Sequence, residues 1–389
     1  MTQDAAASTL SHEVCMARAL QLARRGCYTT HPNPRVGCVV VNGGRIVGEG
    51  YHVRVGEPHA EVHALRAAGE AARGATVYVT LEPCSHYGRT PPCAQALIDA
   101  CVSRVVIAMV DPNPQVAGRG VAMLREAGIE VEVGCLEADA EALNIGFVKR
   151  MREGMPFVRL KMAMSLDGRT AMASGESQWI TGERARTEVQ RLRARSSAVM
   201  TGVDSIIFDN SRLTVRPAQL ELDEGEAIAE HQPLRVVVDS RLRLPVAASC
   251  LREPGRTIVA TVSPDEARRA TLEEAGAEVL VLPEAAEERV DLRALLAHLA
   301  EREQCNEVLL ETGATLAGAM LDIDAIDEMH LFVAPTLLGG EARPLFALPG
   351  LERMAQQRPL HIDDIRAVGR DWRIVARPVM SKPAASDSA

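Results

Sequence analysis

The sequence predicts two α/β layer domains in tandem, and three observations carry that prediction. The chain has 389 residues, more than the roughly 250–300 at which a single hydrophobic core stops growing. In both halves short apolar runs alternate with stretches of helical periodicity, the pattern of layered α/β folds. Between them, "REGMP" puts Gly154 and Pro156 where helix and strand both break, which sets domains over 1–152 and 153–380.

Ser11 is placed as the N-cap of a helix reaching Arg25, with Val14, Ala17 and Leu20 at helical spacing and Gly26 just past the end. After "HPNP", the runs Val36–Val41 and Arg45–Tyr51 flank "NGG" as a β-hairpin. A helix over Ala60–Ala72, a strand over Thr76–Leu81, a helix over Cys93–Cys101, a strand over Val105–Val110, a helix over Gly120–Ala127 and a strand over Ile129–Val133 follow. One helix then runs from Glu137 to about Arg152. The second half opens on the strand "FVRLKMAMS" and continues with strands near Ala198–Thr201, Leu234–Asp239, Thr257–Thr261, Val279–Leu282, Glu307–Glu311 and Glu328–Val333. The acidic "QLELDEGEAIAEHQ" reads as a solvated loop or short surface helix, and residues 381–389 as a disordered tail.

Composition narrows the function. With 47% hydrophobic and 24% charged residues the chain reads as globular, and it contains no apolar run near the roughly 20 residues a bilayer span needs. "MTQDAAASTLSHE" lacks a basic segment followed by an apolar one, so a cytoplasmic location is expected. A net charge of −9 and 3% aromatic residues disfavour a nucleic-acid groove of basic patches and stacking rings. Small-molecule substrates are expected instead. Nine cysteines, an odd number, point to metal ligands or catalytic groups where thiols cluster. Cys15, Cys27, Cys38, Cys101, Cys135, Cys250 and Cys305 lie outside any cluster and read as plain buried thiols.

The cluster is formed by "HAEVHAL" from His59 and "TLEPCSHYGRTPPC" ending at Cys93. His59, Cys84 and Cys93 offer one imidazole and two thiolates, a set that suits zinc and leaves a fourth position for water. Glu61, two residues beyond His59, fits the general acid/base of zinc deaminases in the H-x-E…P-C-x-x-C pattern, from which the longer Cys84-to-Cys93 spacing departs. A zinc site that only holds the fold has no need of a glutamate beside its histidine. Asn33 has the chemistry to hydrogen-bond a ring edge, and His86 or Arg89 to meet an anion. His31 and His63 read as incidental.

"HPNPRVGCVVV", "GEGYHVRVGEPHAEVHAL" and "TLEPCSHYGRTPPC" closely resemble the deaminase half of the bifunctional riboflavin-biosynthesis deaminase/reductase family, whose own Cys-to-Cys spacing is the longer one. The resemblance implies a cytidine-deaminase-like fold and a diaminopyrimidinone ribosylamine phosphate substrate. It places Asn33, His52 and His86 near the pyrimidine and Arg89 at the phosphate.

In the second half, "EVLLE" runs into "TGATLAG" and a helix, where small residues at a helix start let backbone N–H groups approach a phosphate. No G-x-G-x-x-G or Walker motif follows its strands. With "KMAMSLDGRTAMASGESQWITG", "TGVDSIIFDNSRLTVR" and "VVVDSRLRLP", this stretch resembles the reductase half of the same family, which implies a dihydrofolate-reductase-like fold and NADPH. By that resemblance Ala163, Trp179, Ser205, Asp209, Ser240, Gly313, Ala314, Thr315, Leu316, Ala317, Gly318 and Ala319 line the cofactor. Ser177, Arg193, Leu213, Arg216 and Glu311 line the substrate. The guanidinium forks of Arg193 and Arg216 suit a ribose phosphate; Trp179 equally suits a core. Hydride delivery to the anomeric carbon of the opened ribosyl group is implied, with Lys161, Asp167 and Glu311 as candidate proton donors, and a homo-oligomer is expected. A deaminase of nucleic acid or free nucleosides, and a deaminase whose second domain binds nucleotide without turnover, are the competing readings. Acidic charge counts against the first, and "SLDGRTA", "SQWIT" and "ETGATLAG" in order against the second.

Overall fold

The computed structural model describes residues 10–85, 91–114 and 116–379; the tail expected at 381–389 lies outside them. The chain divides into two compact units, Met1–Gly154 and Met155–Ala389.

The first unit holds α1 (His12–Ala23), β1 (Gly37–Asn42), β2 (Arg45–Tyr51), α2 (Ala60–Ala68), β3 (Thr76–Leu81), α3 (Cys93–Asp99), β4 (Arg104–Met109), α4 (Arg119–Glu126), β5 (Glu130–Val133), α5 (Glu137–Leu143) and α6 (Ile145–Glu153). Among the described residues its sheet runs β2-β1-β3-β4-β5. The hairpin and the β1–β3 pair are antiparallel, and β3–β4 and β4–β5 are parallel. Ser11 caps α1 by accepting from the Val14 N–H.

Helices reach this sheet over bare backbone. A Cβ on Gly37 would fall 2.0 Å from the Ala19 carbonyl oxygen in α1, and Cβ atoms on Gly48 and Gly50 would fall 2.2 Å from the Ala64 carbonyl oxygen and 2.4 Å from that of Ala60 in α2. Gly50 pairs with Cys38, the neighbour of Gly37, so α1 and α2 lie on opposite faces. The helix expected from Glu137 to Arg152 is instead two, broken at Asn144. The buried Asn144 side chain accepts from the Arg35 N–H (2.8 Å) and donates to the Arg35 carbonyl (3.0 Å), a bond worth more here than continued helix.

The second unit holds β6 (Phe157–Ser165), β7 (Arg169–Ala171), α7 (Glu183–Arg195), β8 (Ala198–Gly202), α8 (Val203–Asp209), α9 (Gly225–Ala229), β9 (Leu234–Val238), β10 (Thr257–Thr261), α10 (Glu266–Glu274), β11 (Glu278–Val281), β12 (Glu284–Ala285), β13 (Arg289–Val290), α11 (Leu292–Glu301), β14 (Glu307–Glu311), α12 (Ala314–Asp322), β15 (Glu328–Ala334), β16 (Arg343–Pro344), β17 (Leu360–Val368) and β18 (Asp371–Pro378). The main sheet runs β11-β10-β9-β8-β14-β6-β15-β18-β17, parallel as far as β15 and antiparallel beyond it. Successive side chains of its strands alternate between two cores. Leu160, Met200, Val236 and Leu310 meet Leu295, Leu299 and Met320 on one face, while Val199, Val237, Val259 and Leu309 meet Val189, Leu192 and Leu272 on the other. The acidic insert does form a short helix, α9, whose Ile228 is buried, as is Leu220 just before it.

Charge is buried at the N-terminal ends of the central strands. Arg159 donates to Glu307 (2.6 Å) and to Glu328, and Arg195 reaches Glu307 at 3.1 Å. His330 Nε2 lies 2.7 Å from Glu328. Burial alone would raise the Glu328 carboxyl, but His330 and the Arg159 guanidinium outweigh it and hold it down at about 2.

Gly50→Ala should lower the unfolding free energy by about 2–3 kcal/mol, the cost of overpacking a fixed backbone contact, in urea denaturation. A group depressed in the folded state stabilises above its unfolded pKa and loses that contribution as pH falls toward the folded value. The stability gap between the wild type and Glu328→Gln should therefore narrow by roughly 2 kcal/mol from pH 7 to pH 3, read by denaturant melts across that range.

Candidate metal centre and cofactor cavity

His59 is the extended N-cap residue of α2, whose first turn carries Glu61. Cys93 opens α3 after Pro92, and Cys84 follows the end of β3. Their ligand atoms lie within 4.8 Å of one another, His59 Nδ1 being 3.7 Å from the Cys84 sulfur and 3.3 Å from that of Cys93. Nitrogen and sulfur ligands of tetrahedral zinc stand about 3.5 Å apart, so the donor set fits zinc. The two thiols divide unequally. Cys84 is lowered, first by its hydrogen bond with Cys93 and then by His59, while Cys93 is pushed up by Cys84 and by burial. The Cys93 N–H also donates to the Cys84 sulfur at 3.2 Å.

Glu61 is 3% exposed, and its Oε2 is enclosed without a hydrogen-bond partner. Burial pushes its carboxyl up to about 6, near the value at which one group both takes and returns a proton. His52 stands edge-on to His59 with ring centroids 5.4 Å apart. Its Nδ1 lies 3.3 Å from the Pro58 carbonyl and its Nε2 3.1 Å from Asn33 Nδ2. Nδ1 therefore carries the proton and Nε2 accepts, and burial lowers the ring so that it stays neutral. Asn33 and His52 thus join the triad's surroundings; His86 and Arg89 lie outside the described residues. His31 and His63 take no part in the ligand cluster.

Sequence reasoning missed Glu82. Buried at the end of β3, it accepts from the N–H groups of Asp111 (3.1 Å), Gly118 (2.9 Å), Gly120 (2.8 Å) and Val121 (3.1 Å), and so ties the segment carrying Cys84 to the start of α4. A Cβ on Gly120 would fall 2.0 Å from the Pro83 carbonyl oxygen. An acid ending an apolar strand, with "AGRG" further on, was the available signal.

In the second unit an open cavity of about 1180 Å³ crosses the C-terminal ends of β6, β8, β9 and β14. Ala163, Trp179, Ser205, Asp209, Ser240, Gly313, Ala314, Thr315, Leu316 and Ala319 line it, as do Ser177, Arg193, Leu213, Arg216 and Glu311. Ala317 and Gly318 do not. Helical rotation turns Ala317 into the core and Gly318 onto the Ala347 carbonyl oxygen, 2.0 Å from where a Cβ would stand. Trp179 is 64% exposed with the Arg186 guanidinium 4.9 Å from its ring, so it is a wall residue and not a core aromatic. Ser177 donates to Asp209 at 2.8 Å.

The fork expected of Arg193 is already occupied. It donates to both Glu311 oxygens (2.5 and 3.0 Å) and to the Thr214 carbonyl (2.9 Å). Arg216 makes no side-chain ion pair among the described residues, and burial together with Arg193 and Arg212 lowers its pKa, a strain that an anion would relieve. Lys161 is half-buried 3.9 Å from Glu311, and desolvation lowers it. Asp167 lies off the cavity. It accepts from Ser165 Oγ and the N–H groups of Leu338 and Gly339, bonds that pull it down to about 2, so it has no proton to donate. Among the unclustered cysteines, Cys101 is exposed and Cys27 and Cys135 are half-buried, contrary to expectation.

Residues 10–109 match the cytidine and deoxycytidylate deaminase zinc-binding region, and residues 156–374 match the RibD C-terminal domain. The riboflavin biosynthesis protein RibD of Escherichia coli (strain K12) is 51% identical over 366 residues, which cover 93% of this chain and 98% of that protein. The chain belongs to the RibD family. A solved structure of Acinetobacter baumannii RibD is 49% identical and superposes with a TM-score of 0.87 over 95% of this chain and 99% of that one. The Thermotoga maritima diaminohydroxyphosphoribosylaminopyrimidine deaminase/5-amino-6-(5-phosphoribosylamino)uracil reductase is 33% identical, with a TM-score of 0.81 over 95% of this chain and 99% of that one. RibD is a bifunctional deaminase and reductase of riboflavin biosynthesis, its first domain zinc-binding and its second NADPH-dependent.

Purified chain should carry about one zinc ion, as the donor set of a single three-ligand site requires. Cys84→Ser should lose most of it and Glu61→Gln should keep it, read by elemental analysis after gel filtration.

Proposed function

We propose that the first site deaminates 2,5-diamino-6-(5-phosphoribosylamino)pyrimidin-4-one and that the second reduces the ribosyl group of 5-amino-6-(5-phosphoribosylamino)uracil to ribityl. The observation that carries the first half is the enclosed Glu61 carboxyl beside the His59, Cys84 and Cys93 cluster. Those three residues hold zinc, which when bound makes water acidic enough to act as a nucleophile at neutral pH. Glu61 takes the proton from that water and returns it to the departing ammonia. Its pKa of about 6 serves both transfers. Neutral His52 orients Asn33, whose amide is left to meet the pyrimidine edge.

In the second unit Arg216, which lines the cavity and makes no ion pair among the described residues, holds the ribose phosphate, while Arg193 and Lys161 keep Glu311 ionised. NADPH, when bound, supplies the hydride. Trp179, Ser205, Asp209, Ser240 and the start of α12 form its wall. The ligands are small phosphorylated pyrimidines and not nucleic acid, in keeping with the net charge of −9. No helix among the described residues is long and apolar enough to cross a membrane; we place the protein in the cytoplasm as a homo-oligomer.

Two activities read in one preparation test this. Glu61→Gln should release ammonia at least about a hundredfold more slowly, the usual share of a general acid/base, yet oxidise NADPH normally when given the deaminated intermediate. Wild-type ammonia release by that variant would refute the assignment. Arg216→Ala should raise KM for the phosphorylated intermediate by about tenfold or more, the worth of one charge-assisted contact, with the NADPH Kd unchanged by fluorescence titration.

A further inference from the structure

Helix α7 has two working faces. Arg186, Val189, Gln190 and Arg193 line the cavity, while the helix start and Glu188 are gripped by the C-terminal hairpin of β17 and β18. Asp371 is 1% exposed and accepts from the N–H of Gly182, the α7 N-cap residue, at 2.7 Å. Its neighbour Arg370 donates to the Ile180 carbonyl at 3.2 Å. At Gly369 (φ +63°) a Cβ would stand 3.1 Å from the Arg184 side chain, so the turn is pressed directly on the helix start. Further along, Glu188 accepts from Arg366 and Arg373, one from each hairpin strand, both at 3.1 Å. The segment so held, Ile180 to Gly182, directly continues the cavity wall at Gln178 and Trp179.

A carboxylate at a helix N-terminus is favoured by the free N–H groups and by the helix dipole. Asp371 therefore does more than close a turn. We propose that Asp371 is a positioning residue for the reductase, fixing the α7 start and through it the Trp179 and Arg186 wall against which the cofactor lies. The proposal rests on the reading of Trp179 as part of the NADPH wall. It assigns the hairpin a role in the reaction, although none of its residues lines the cavity among those described.

The chain has two tryptophans, so Trp372→Phe leaves Trp179 as its single indole reporter. In that background Asp371→Ala should increase acrylamide quenching of Trp179 and raise the NADPH Kd about tenfold, the size of one charge-assisted hydrogen bond. kcat at saturating NADPH and ammonia release should stay within about twofold, since the chemistry of both sites is untouched. Asp371→Asn, which keeps an oxygen for the Gly182 N–H, should restore most of both readings. A folded Asp371→Ala with unchanged quenching and unchanged NADPH affinity would overturn the proposal. If that variant melts below the assay temperature by circular dichroism, the same two readings on Arg370→Ala, which removes the Ile180 bond and the ion pair to Asp371 at 3.7 Å while leaving the Asp371–Gly182 bond, decide it in the same way. Failure of the Trp372→Phe parent itself to bind NADPH would instead strike the reading of Trp179, and quenching alone would then judge the clasp.

Discussion

A carboxylate taken out of water needs donors around it, a cation beside it, or a proton on it. Both units are organised by how that requirement is met. Glu82 is surrounded by four backbone N–H groups, Glu307 by two arginines, and Glu311 by Arg193 with Lys161 nearby. Each of these is held in place by its donors. At Glu61 burial outweighs the pull of His59 and Cys93, Oε2 has no partner, and the carboxyl is pushed up to about 6. The groups that build the sites and the group that moves a proton differ less in type than in how many donors reach them.

Much of this was legible in the sequence where the signal is local. The strands Thr76–Leu81, Phe157–Ser165 and Glu307–Glu311 have the bounds their apolar runs predict, because each run is buried on both faces and ends where polarity returns. His59, Glu61, Cys84 and Cys93 were visible because metal chemistry restricts residue type as well as spacing. What failed depends on distant partners. Nothing near Asn144 announces that it leaves the helix to pair with Arg35. The strands β17 and β18 escape periodicity because "LHIDDIRAVGRDWRIVARP" is densely charged, with β17 almost wholly exposed and β18 only partly buried, and is stabilised by cross-strand pairs such as Arg377 with Asp363. Arg193 reads as a phosphate ligand until Glu311 is seen to fill its fork. Within "TGATLAG", composition alone does not tell Leu316 from Ala317; the turn of the helix does.

The two units also divide their labour differently between backbone and side chain. In the first, helix placement is set by what is missing, since glycines at 37, 48 and 50 admit helices that any side chain would repel. In the second, α7 is located by ionic and capping contacts from a hairpin late in the chain. The first arrangement is rigid to substitution. The second is adjustable, since lengths and charges in the hairpin set the wall without entering the cavity.

The seating of α2 on Gly48 and Gly50, together with the grip of Glu82 on the Cys84 segment, means that the ligands are brought together by contacts that owe nothing to a metal. Small zinc domains that fold only on binding spend much of the ion's affinity on ordering the chain. Here the close approach of α2 to Gly48 and Gly50 and the four bonds to Glu82 supply part of that ordering from the protein itself. The share of the ion's affinity spent on ordering the chain is smaller where such contacts already seat α2 and the Cys84 segment.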